Sequence, residues 1–349
     1  MSENINVLII NWYDENKRDL PWRRTIIPYF IWLSEIILQQ TRVQQGLSYY
    51  EKFIRHYPTI SDLARANEQE VLNDWQGLGY YSRARNLHKA AKIVHEEHNG
   101  EFPKTYQEII KLPGIGDYTA SAISSFAFSE PQAVLDGNVF RVLSRLFNIA
   151  TPIDSTLGKK DFRTLAQAFL FIENPATHNQ AMMEFGAILC TPKNPNCENC
   201  PVRIHCEAYK AKTHLNLPVK SKKTKVRERN MKFLLCSSDG HFLVQKRLKK
   251  DIWQHLYQLP LIDEEILKHI DIQSKFEEKI GSPLVDFVKQ EEITHLLSHQ
   301  KLTLEFYTAK NSRLKNLKNF ERISIAQVSD HPFPRPLIDF LHKTFHLDE

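Results

Sequence analysis

Four of the five cysteines lie in one short segment, and this is the pattern with the clearest chemical meaning. Cys190, Cys197, Cys200 and Cys206 follow the spacing C-x6-C-x2-C-x5-C. Thiolates are soft ligands that select zinc or an iron–sulfur cluster. The spacing alone does not decide between the two, although a zinc ribbon usually has two C-x2-C pairs and this segment has one. The sequence therefore predicts a metal centre and favours the cluster.

A proline–glycine turn, LPGIGDYTA at residues 112–120, separates two stretches with helical periodicity. Gly114 and Gly116 both permit positive φ and leave backbone N–H groups uncovered. These N–H groups would lie at the start of the second helix, where the helix dipole favours an anion. A DNA phosphate fits such a site without any base contact. The alternative is an ordinary connection between two helices.

A second glycine pair occurs in WQGLGYYSRARNLHKAA, which begins at Trp75. Gly77 and Gly79 precede two tyrosines and two arginines. Aromatic side chains in this setting could wedge into a base stack. A helix cap with packed tyrosines explains the same residues.

Two acidic residues could act as a catalytic pair of carboxyl groups. Glu35 lies in a predicted helix with Ile31, Trp32 and Leu38 on its face, and apolar neighbours raise the pKa of a carboxyl. Asp136 lies in a predicted turn, LDGNV, where an ionised carboxylate could stabilise a developing cation. From the pattern alone, Glu35 on a solvated helix flank and Asp136 as a helix cap are the more ordinary interpretations.

The elements that must position these residues fall into two regions. Residues 1–210 show helical periodicity broken by prolines, and KSKKTKVRER follows as a charged linker. After it, two β-rich runs flank Asp239–Gly240, which predicts a hairpin with Cys236 buried in its first strand. KLTLEFYTA alternates as a strand, and a helix opened by Pro336 ends the pattern. We therefore expect a mainly α region followed by an α+β domain.

The composition of the 349 residues is that of an ordinary globular protein, with 42% hydrophobic and 25% charged residues. The formal charge of +5 permits a polyanionic partner without requiring one. No run of 18 apolar residues predicts a membrane helix, and the N-terminus lacks the features of a signal peptide. These features favour a cytosolic protein.

Several of these motifs together resemble a known family. The glycine turn, LDGNVFRVL and the cysteine spacing are similar to the helix–hairpin–helix DNA glycosylase superfamily. LPWR, WLSEIILQQTRV and HLLSHQKL resemble the adenine DNA glycosylases in particular, which remove adenine mispaired with 8-oxoguanine. The resemblance is collinear and covers nearly the whole chain.

The resemblance implies a domain arrangement. A six-helix barrel is expected near residues 29–130, and residues 1–28 with 131–210 are expected to form a lobe that carries a 4Fe-4S cluster on the four cysteines. A basic linker, 211–229, would lead to a Nudix-like domain at 230–349. The sequence lacks the glycine and glutamate box of Nudix hydrolases. That domain is therefore expected to act in recognition of 8-oxoguanine.

The resemblance also implies catalytic roles. Glu35 corresponds to the general acid, Asp136 to the group that stabilises the positive sugar, and Asn138 to a side chain that holds this geometry. Tyr118 stands where the lyase branch of the superfamily has its lysine nucleophile. A phenol cannot form a Schiff base. The chain is therefore expected to release the base without cutting the strand.

Recognition roles follow by the same correspondence. The extruded adenine would be surrounded by Trp22, Arg23, Leu38 and Gln180, and the hole in the stack would be filled by Gln40 and Tyr80. Contacts to 8-oxoguanine would come from Ser298 and His299. Leu297 departs from the family pattern, because it replaces an aromatic residue. The implied partner is duplex DNA with A:8-oxoguanine or A:G, bound by a monomer in a bacterial cytoplasm.

Two rival functions share part of the pattern. An endonuclease III-like glycosylase and lyase has the glycine turn, the aspartate and the cluster, but it needs a lysine nucleophile and typically lacks Glu35 and the C-terminal domain. A non-catalytic iron–sulfur protein that binds DNA or transfers electrons would have no use for the pair Glu35 and Asp136.

Overall fold

The computed structural model describes residues 4–221, 226–263, 271–311, 317 and 319–347. The chain forms two compact units. The first comprises Met1–Arg65 and Asn86–Lys223, and the second comprises Ala66–Arg85 and Thr224–Glu349. In the described residues, no helix is both long and apolar enough to cross a membrane.

The N-terminal two thirds of the chain is helical, as expected. In chain order the α-helices are α1 Ile5–Asn16, α2 Pro28–Ile37, α3 Val43–His56, α4 Ile60–Arg65, α5 Glu68–Asp74, α6 Ser82–Glu97, α7 Tyr106–Ile109, α8 Asp117–Phe128, α9 Gly137–Leu146, α10 Thr156–Phe169, α11 Pro175–Glu184 and α12 Glu207–Lys210. Short 3₁₀ turns lie at Pro21–Arg23, Arg203–His205 and His214–Asn216, and a π-helical turn lies at Phe185–Leu189. Of these elements, α5 and the first turn of α6 belong to the second unit.

Helix α2 is the central element of one half of the first unit. Pro28 occupies its first turn, where a missing N–H costs no hydrogen bond. Its residues from Ile31 to Ile37 are all buried, and it packs on α8. An amphipathic helix would keep one face in water. Because α2 is enclosed on every side, Glu35 lies inside the fold rather than on a solvated flank.

The other half of the first unit packs around α9. Its apolar cluster includes Ile9 and Tyr13 of α1, Leu143 of α9, Phe162 of α10 and Phe185 after α11. The N-terminal helix α1 therefore packs in the same core as helices that follow it by more than 120 residues. This packing fixes the N-terminus of α9, where Asp136 is the capping residue.

In its described residues, the second unit contains a seven-stranded mixed sheet. Its strands are β1 Arg227–Ser238, β2 His241–Lys246, β3 Tyr257–Gln258, β4 Leu261–Ile262, β5 Val285–Leu296, β6 Gln300–Lys310 and β7 Glu321–Ser324. The main order is β3-β2-β1-β6-β5, with β1 parallel to β6, while β4 pairs with β1 and β7 with β2. Helices α13 Ile272–Ile280 and α14 Arg335–Phe345 contribute to separate apolar clusters.

The predicted hairpin is confirmed. Strands β1 and β2 pair with Ser238 opposite His241, and Asp239 and Gly240 have φ of 49° and 71°. Two consecutive left-handed residues are the signature of a type I′ turn, which is why Asp-Gly is favoured here. Cys236 in β1 is fully buried, as the strand pattern indicated.

The linker predicted at 211–229 is too long at both ends. Ile153 N–H donates to Val219 C=O at 3.0 Å, and Ser221 N–H donates to Asp154 at 2.9 Å, so this part of the chain is held on the first unit. At the other end β1 already begins at Arg227. Charge density suggested a solvated segment, but backbone pairing decides both boundaries. Residues 222–225, the middle of the basic run, lie outside the described residues.

One glycine in the π-helical turn allows two segments to meet closely. A Cβ on Gly186 would lie 2.6 Å from Asn138 Cβ and 2.9 Å from Asn138 O. We expect Gly186→Ala to lower the free energy of unfolding by about 1–3 kcal/mol, because the added carbon forces the start of α9 to shift. Thermal unfolding measures this. Gly137→Ala is the matched control, since a Cβ there meets nothing within 4 Å, and equal melting temperatures for the two variants would contradict the close packing.

Candidate active site

A cavity of about 310 Å³ opens in the first unit between α2, α8, α9 and α11. Its walls include the residues predicted as catalytic together with the pocket residues predicted around the base. The lining residues from these sets are Glu35, Tyr118, Asp136, Asn138, Trp22, Arg23, Leu38 and Gln180. Sequence positions separated by more than 150 residues therefore meet at one site.

Glu35 is the buried carboxyl of this cavity, and its side chain is unusual for a carboxylic acid. The residue is 8% exposed. Burial raises the pKa of Glu35 from its ordinary value of 4.5 to about 7, and the charge of Asp136 adds to the rise. A hydrogen bond from the Tyr118 hydroxyl and the charge of Arg23 lower this pKa in part. A group with a pKa near neutrality can carry a proton to a substrate at physiological pH.

Asp136 is held as the N-cap of α9. Its Oδ1 accepts from the backbone N–H groups of Asn138 at 2.9 Å and Val139 at 2.7 Å. Its Oδ2 accepts from Asn138 Nδ2 at 2.7 Å. Burial raises the pKa of Asp136 above its ordinary value, while these three donors oppose that rise because they stabilise the carboxylate. The helix-cap interpretation and the catalytic interpretation therefore apply to the same side chain.

Asn138 is in turn oriented by a buried arginine. Arg141 Nη2 donates to Asn138 Oδ1 at 2.8 Å and to Gly186 C=O at 2.8 Å. Arginine has no acceptor, so the amide oxygen of Asn138 must face Arg141 and its NH₂ group must face Asp136. The geometry agrees with the predicted role of Asn138 as a residue that holds the site together.

The base-facing wall combines apolar surface with one amide. Trp22 is buried in the turn Pro21–Arg23, with its ring edge-on to Tyr50 at a centroid distance of 5.2 Å. Arg23 Nε donates to Gln180 Oε1 at 3.2 Å. Gln180 also lines the cavity, and its NH₂ group is a hydrogen-bond donor.

Two further charged residues of this wall were missed by the sequence interpretation, Arg18 and Glu184. Glu184 lies four residues after Gln180 on α11, so both occupy one face of that helix. This i, i+4 spacing was the available signal. Uncharged neighbours that also line the cavity are Leu20, Gln39, Thr41, Val43, Met183 and Ala187.

The glycine turn differs in one respect from the expectation. Gly114 has φ of +75°, and a Cβ there would lie 2.6 Å from Asn86 Cβ. Gly116, however, has extended backbone as the N-cap of α8, with φ of −97° and open space around it. Only the first glycine therefore needs the left-handed region. The second caps the N-terminus of α8, the kind of helix end that favours an anion.

Known proteins resemble both parts of this chain. Residues 33–166 match the HhH-GPD superfamily of base excision DNA repair proteins, and residues 232–343 match the NUDIX domain. The adenine DNA glycosylase of Buchnera aphidicola from Schizaphis graminum is 35% identical over 335 residues, 95% of this chain and 95% of its own length. This chain belongs to the adenine DNA glycosylase family. The human adenine DNA glycosylase is 44% identical over 209 residues, which cover 57% of this chain and 38% of that protein.

Solved structures share the helical fold. A thermostable thymine-DNA glycosylase superposes with a TM-score of 0.55 at 30% identity, over 59% of this chain and 95% of that one. A trapped complex of endonuclease III with DNA has a TM-score of 0.51 at 23% identity and shows the fold alone. The predicted fold class, a helix–hairpin–helix glycosylase region with a Nudix-like domain, is confirmed.

In this family member the four cysteines line one small apolar cavity next to α9. Arg145 Nη1 donates to Cys190 Sγ at 3.3 Å. Burial raises the pKa of Cys200 to about 12, and the neighbouring cysteines add to the rise. In the described part of the chain, no three His, Cys, Asp or Glu side chains are arranged to hold a single metal ion. Four thiols around one cavity are a donor set that soft-metal centres use.

Two residues predicted to fill the vacated base position lie outside the cavity. Gln40 and Tyr80 are exposed and left-handed, with φ of 56° and 48°. A strained backbone that holds an exposed side chain outward is typical of functional positions. Tyr80 belongs to the second unit, in which Arg83 lies 5.8 Å from its ring centroid.

The segment that carries Tyr80 is bonded to the sheet region of its own unit. Arg85 Nη1 donates to Gln254 C=O at 2.7 Å, and Glu68 Oε1 lies 2.8 Å from His255 Nδ1. These contacts explain why Ala66–Arg85 groups with the C-terminal residues. The sequence interpretation had assigned this segment to the barrel near 29–130.

Ser298 and His299 form the exposed tip between β5 and β6. Ser298 Oγ lies 3.1 Å from His299 Nδ1, and Arg227 N–H donates to His299 C=O at 3.1 Å. Leu297 packs against the apolar cluster of the sheet. The two polar side chains are thus presented at the surface, while the leucine anchors the tip.

The hydrogen bond from Tyr118 to Glu35 yields a direct test of the cavity's electrostatics. We expect Tyr118→Phe to raise the pKa of Glu35 above about 7, because the phenol stabilises the charged carboxylate. Titration of ¹³C-labelled glutamate side chains by NMR measures the shift, with Glu35→Gln to assign the resonance. Tyr106→Phe is the control, since that hydroxyl bonds Asp117 outside the cavity. A lowered or unchanged Glu35 midpoint would show that the phenol does not stabilise this carboxylate.

Proposed function

We propose that this protein removes adenine from duplex DNA where it is mispaired with 8-oxoguanine or guanine, and that it starts base excision repair without cutting the strand. The observation that carries the proposal is the pair of carboxyl groups in one cavity. Glu35 has a pKa near 7 because it is buried, whereas Asp136 is stabilised by three N–H donors. Different environments suit the two groups to acid catalysis and to charge stabilisation.

The proposed reaction is hydrolysis of the N-glycosidic bond. Glu35 gives its proton to the adenine, which leaves with the electron pair of the bond to C1′. Asp136 stabilises the positive charge that develops on the sugar, as carboxylates do in glycoside hydrolysis. A water molecule then adds to C1′, and its proton returns to Glu35. The products are free adenine and an abasic site.

The adenine must leave the duplex to reach these groups. We assign Trp22 and Leu38 to its apolar surroundings and Gln180 to its polar edge, since all three line the cavity. Gln40 and Tyr80 would occupy the space left in the base stack. The uncovered N–H groups of Gly114 and Gly116 would hold a backbone phosphate.

The absence of a lyase step follows from Tyr118. It lies in the cavity beside Glu35, and no lysine is among the described residues that line this cavity. A Schiff base requires an amine nucleophile. This supports a glycosylase that releases the base over an endonuclease III-like lyase.

Adenine is a normal base, so selectivity must come from the opposite strand. Ser298 and His299 present hydrogen-bonding groups at an exposed tip, which supports their proposed contact with 8-oxoguanine. Neither residue has any role in the cavity. This division assigns chemistry to the first unit and mispair recognition to the second.

We also propose a 4Fe-4S cluster on the four cysteines. When bound, such a cluster would crosslink the loop 190–206 and hold its fold. Arg141 Nε donates to Cys190 C=O at 2.7 Å while its Nη2 holds Asn138, so the loop is bonded to the site through α9. We further propose that the protein acts on duplex DNA as a monomer in a bacterial cytoplasm.

The function is tested with labelled duplexes that contain A:8-oxoguanine, A:G, A:T or thymine glycol. We expect strand cleavage at adenine only after alkali and only in the two mispairs. Cleavage without alkali, or preference for thymine glycol, would favour the lyase. Tyr118→Lys should gain some nicking activity without alkali.

The raised pKa of Glu35 predicts a pH profile. Because only the protonated carboxyl can act as the acid, the single-turnover rate should fall as the pH rises through about 7. Glu35→Gln should lower the rate by about 100- to 10,000-fold and abolish this limb. Asp136→Asn should also abolish release but leave DNA binding largely intact. Wild-type rates in either variant would overturn the assignment.

The recognition tip predicts a change in preference rather than in chemistry. We expect Ser298→Ala to reduce the preference for A:8-oxoguanine over A:G by about 2- to 12-fold, the value of one hydrogen bond. Single-turnover rates on the two duplexes measure this ratio. Thr294→Ala removes an exposed hydroxyl from the same hairpin and should leave the ratio unchanged. Equal ratios in all three proteins would separate Ser298 from recognition.

The cluster is tested by composition. We expect Cys200→Ser to lose iron, acid-labile sulfide and visible absorption together, whereas Cys236→Ala retains all three because Cys236 lies in β1. Protein prepared without oxygen is the sample for both. Stoichiometric zinc without sulfide in the unsubstituted protein would identify a zinc site instead.

A further inference from the structure

Glu184 is a fully buried carboxylate on the wall of the cavity, and neither its burial nor its partners were needed by the proposed mechanism. Its side chain is 0% exposed. Arg18 reaches it with Nε at 2.7 Å from Oε1 and Nη2 at 2.6 Å from Oε2. The backbone N–H of Arg18 also donates to Oε1 at 3.0 Å. Arg23 Nη2 donates to Oε2 at 2.7 Å.

This arrangement fixes a negative charge at a precise place in the wall. Burial alone would raise the pKa of Glu184, but the hydrogen bonds from Arg18 and Arg23 outweigh it and lower the pKa to about 2. A buried carboxylate with one partner removed would leave an uncompensated charge, which is strongly destabilising. Glu184 therefore fixes the positions of the Arg18 and Arg23 guanidinium groups.

Arg23 passes this constraint to the residue that faces the base. Its Nη2 is on Glu184, and its Nε donates to Gln180 Oε1 at 3.2 Å. Arginine offers no acceptor, so the Gln180 amide must turn its oxygen towards Arg23 and its NH₂ group away from it. A fixed NH₂ donor suits adenine, whose ring nitrogens are acceptors. It does not suit hypoxanthine where the donor faces N1, because N1 of hypoxanthine carries a hydrogen and is itself a donor.

We propose that Glu184 is a positioning residue that sets the base selectivity of the cavity, because it holds Arg23 and through Arg23 fixes the orientation of the Gln180 amide. The inference rests on the proposed function. It assigns to Glu184 no contact with the base or with the reacting atoms.

The same geometry has an electrostatic consequence for Glu35. The groups that face Glu35 are Tyr118 from α8, Asp136 at the start of α9 and Arg23 from the turn before α2, and behind Arg23 lie Arg18 and Glu184. Arg23 lowers the pKa of Glu35. The carboxylate of Glu184 offsets part of that positive charge, so its removal should lower the pKa of Glu35 further.

The test compares release of adenine and of hypoxanthine opposite 8-oxoguanine under single-turnover conditions. In Glu184→Gln the amide of Gln180 is free to turn, and we expect the adenine-to-hypoxanthine rate ratio to fall by about 2- to 12-fold. The alkaline limb of the pH profile should move to lower pH. Glu184→Asp keeps the negative charge, so the alkaline limb of its pH profile should lie at the same pH as in the unsubstituted protein. A purely structural role would lower both rates together and leave the limb in place.

Two further variants keep the test decisive if Glu184→Gln folds poorly. Arg23→Lys retains the positive charge but loses the guanidinium group that joins Glu184 to Gln180. The adenine-to-hypoxanthine rate ratio should therefore fall, while the alkaline limb of the pH profile should not move. Asp14→Asn removes an exposed carboxylate that pairs with Lys17 and should change neither quantity. An unchanged ratio in Glu184→Gln and Arg23→Lys overturns the inference. If the unsubstituted protein releases no adenine at all, the proposed function fails instead.

Discussion

The burial of Glu35 is the constraint on which the rest of the cavity depends. A carboxyl enclosed by α2 and its neighbours is costly to ionise, and its pKa rises from 4.5 to about 7. The folded protein therefore binds a proton at Glu35 more tightly than the unfolded chain does. Stability falls as pH rises from about 4.5 to about 7, and the full loss is about 3 kcal/mol. The protein thus gives up stability at neutral pH to keep an acid available inside the fold.

Helix α9 transmits position between the two chemical features of the first unit. Its first turn is capped by Asp136 and oriented by Asn138. One turn later, Arg141 bonds both Asn138 and the carbonyl of Cys190, where the cysteine loop begins. Arg145 continues the contact to the Cys190 thiol. A loop that lost its fold would release the partners of Arg141, so the geometry of the carboxylate depends on the loop even though no cysteine touches the cavity.

Local patterns predicted those features that local chemistry controls. The turn at Asp239–Gly240 needs two left-handed residues, and the capping of α9 by Asp136 needs only the next three residues. Local patterns could not predict features that depend on contacts between residues far apart in the sequence. Arg18 and Glu184 are 166 positions apart, and no periodicity links them. The ends of the linker were misjudged for the same reason, because Val219 and Arg227 are held by partners elsewhere in the chain.

The resemblance to known glycosylases supplied roles that periodicity could not. From periodicity alone, Glu35 is predicted to lie on a solvated face of its helix, because Gln39 and Arg42 border the same face. The burial of α2 and its packing on α8 show that this residue lies inside the fold. The reverse holds for Gly116, which the motif grouped with Gly114 but which adopts ordinary extended backbone.

Glu35 and Glu184 are buried carboxyl groups of one cavity, and their pKa values are shifted in opposite directions. Glu184 accepts hydrogen bonds from two guanidinium groups and stays charged, whereas Glu35 accepts one from a phenol and has a pKa of about 7. Arg23 interacts with both groups, since it donates a hydrogen bond to Glu184 and acts on Glu35 through its charge. If Arg23 were not neutralised by Glu184, its full charge would favour the ionised form of Glu35 and weaken the acid. We therefore infer that a carboxylate outside the reaction helps a carboxyl inside it to keep its raised pKa.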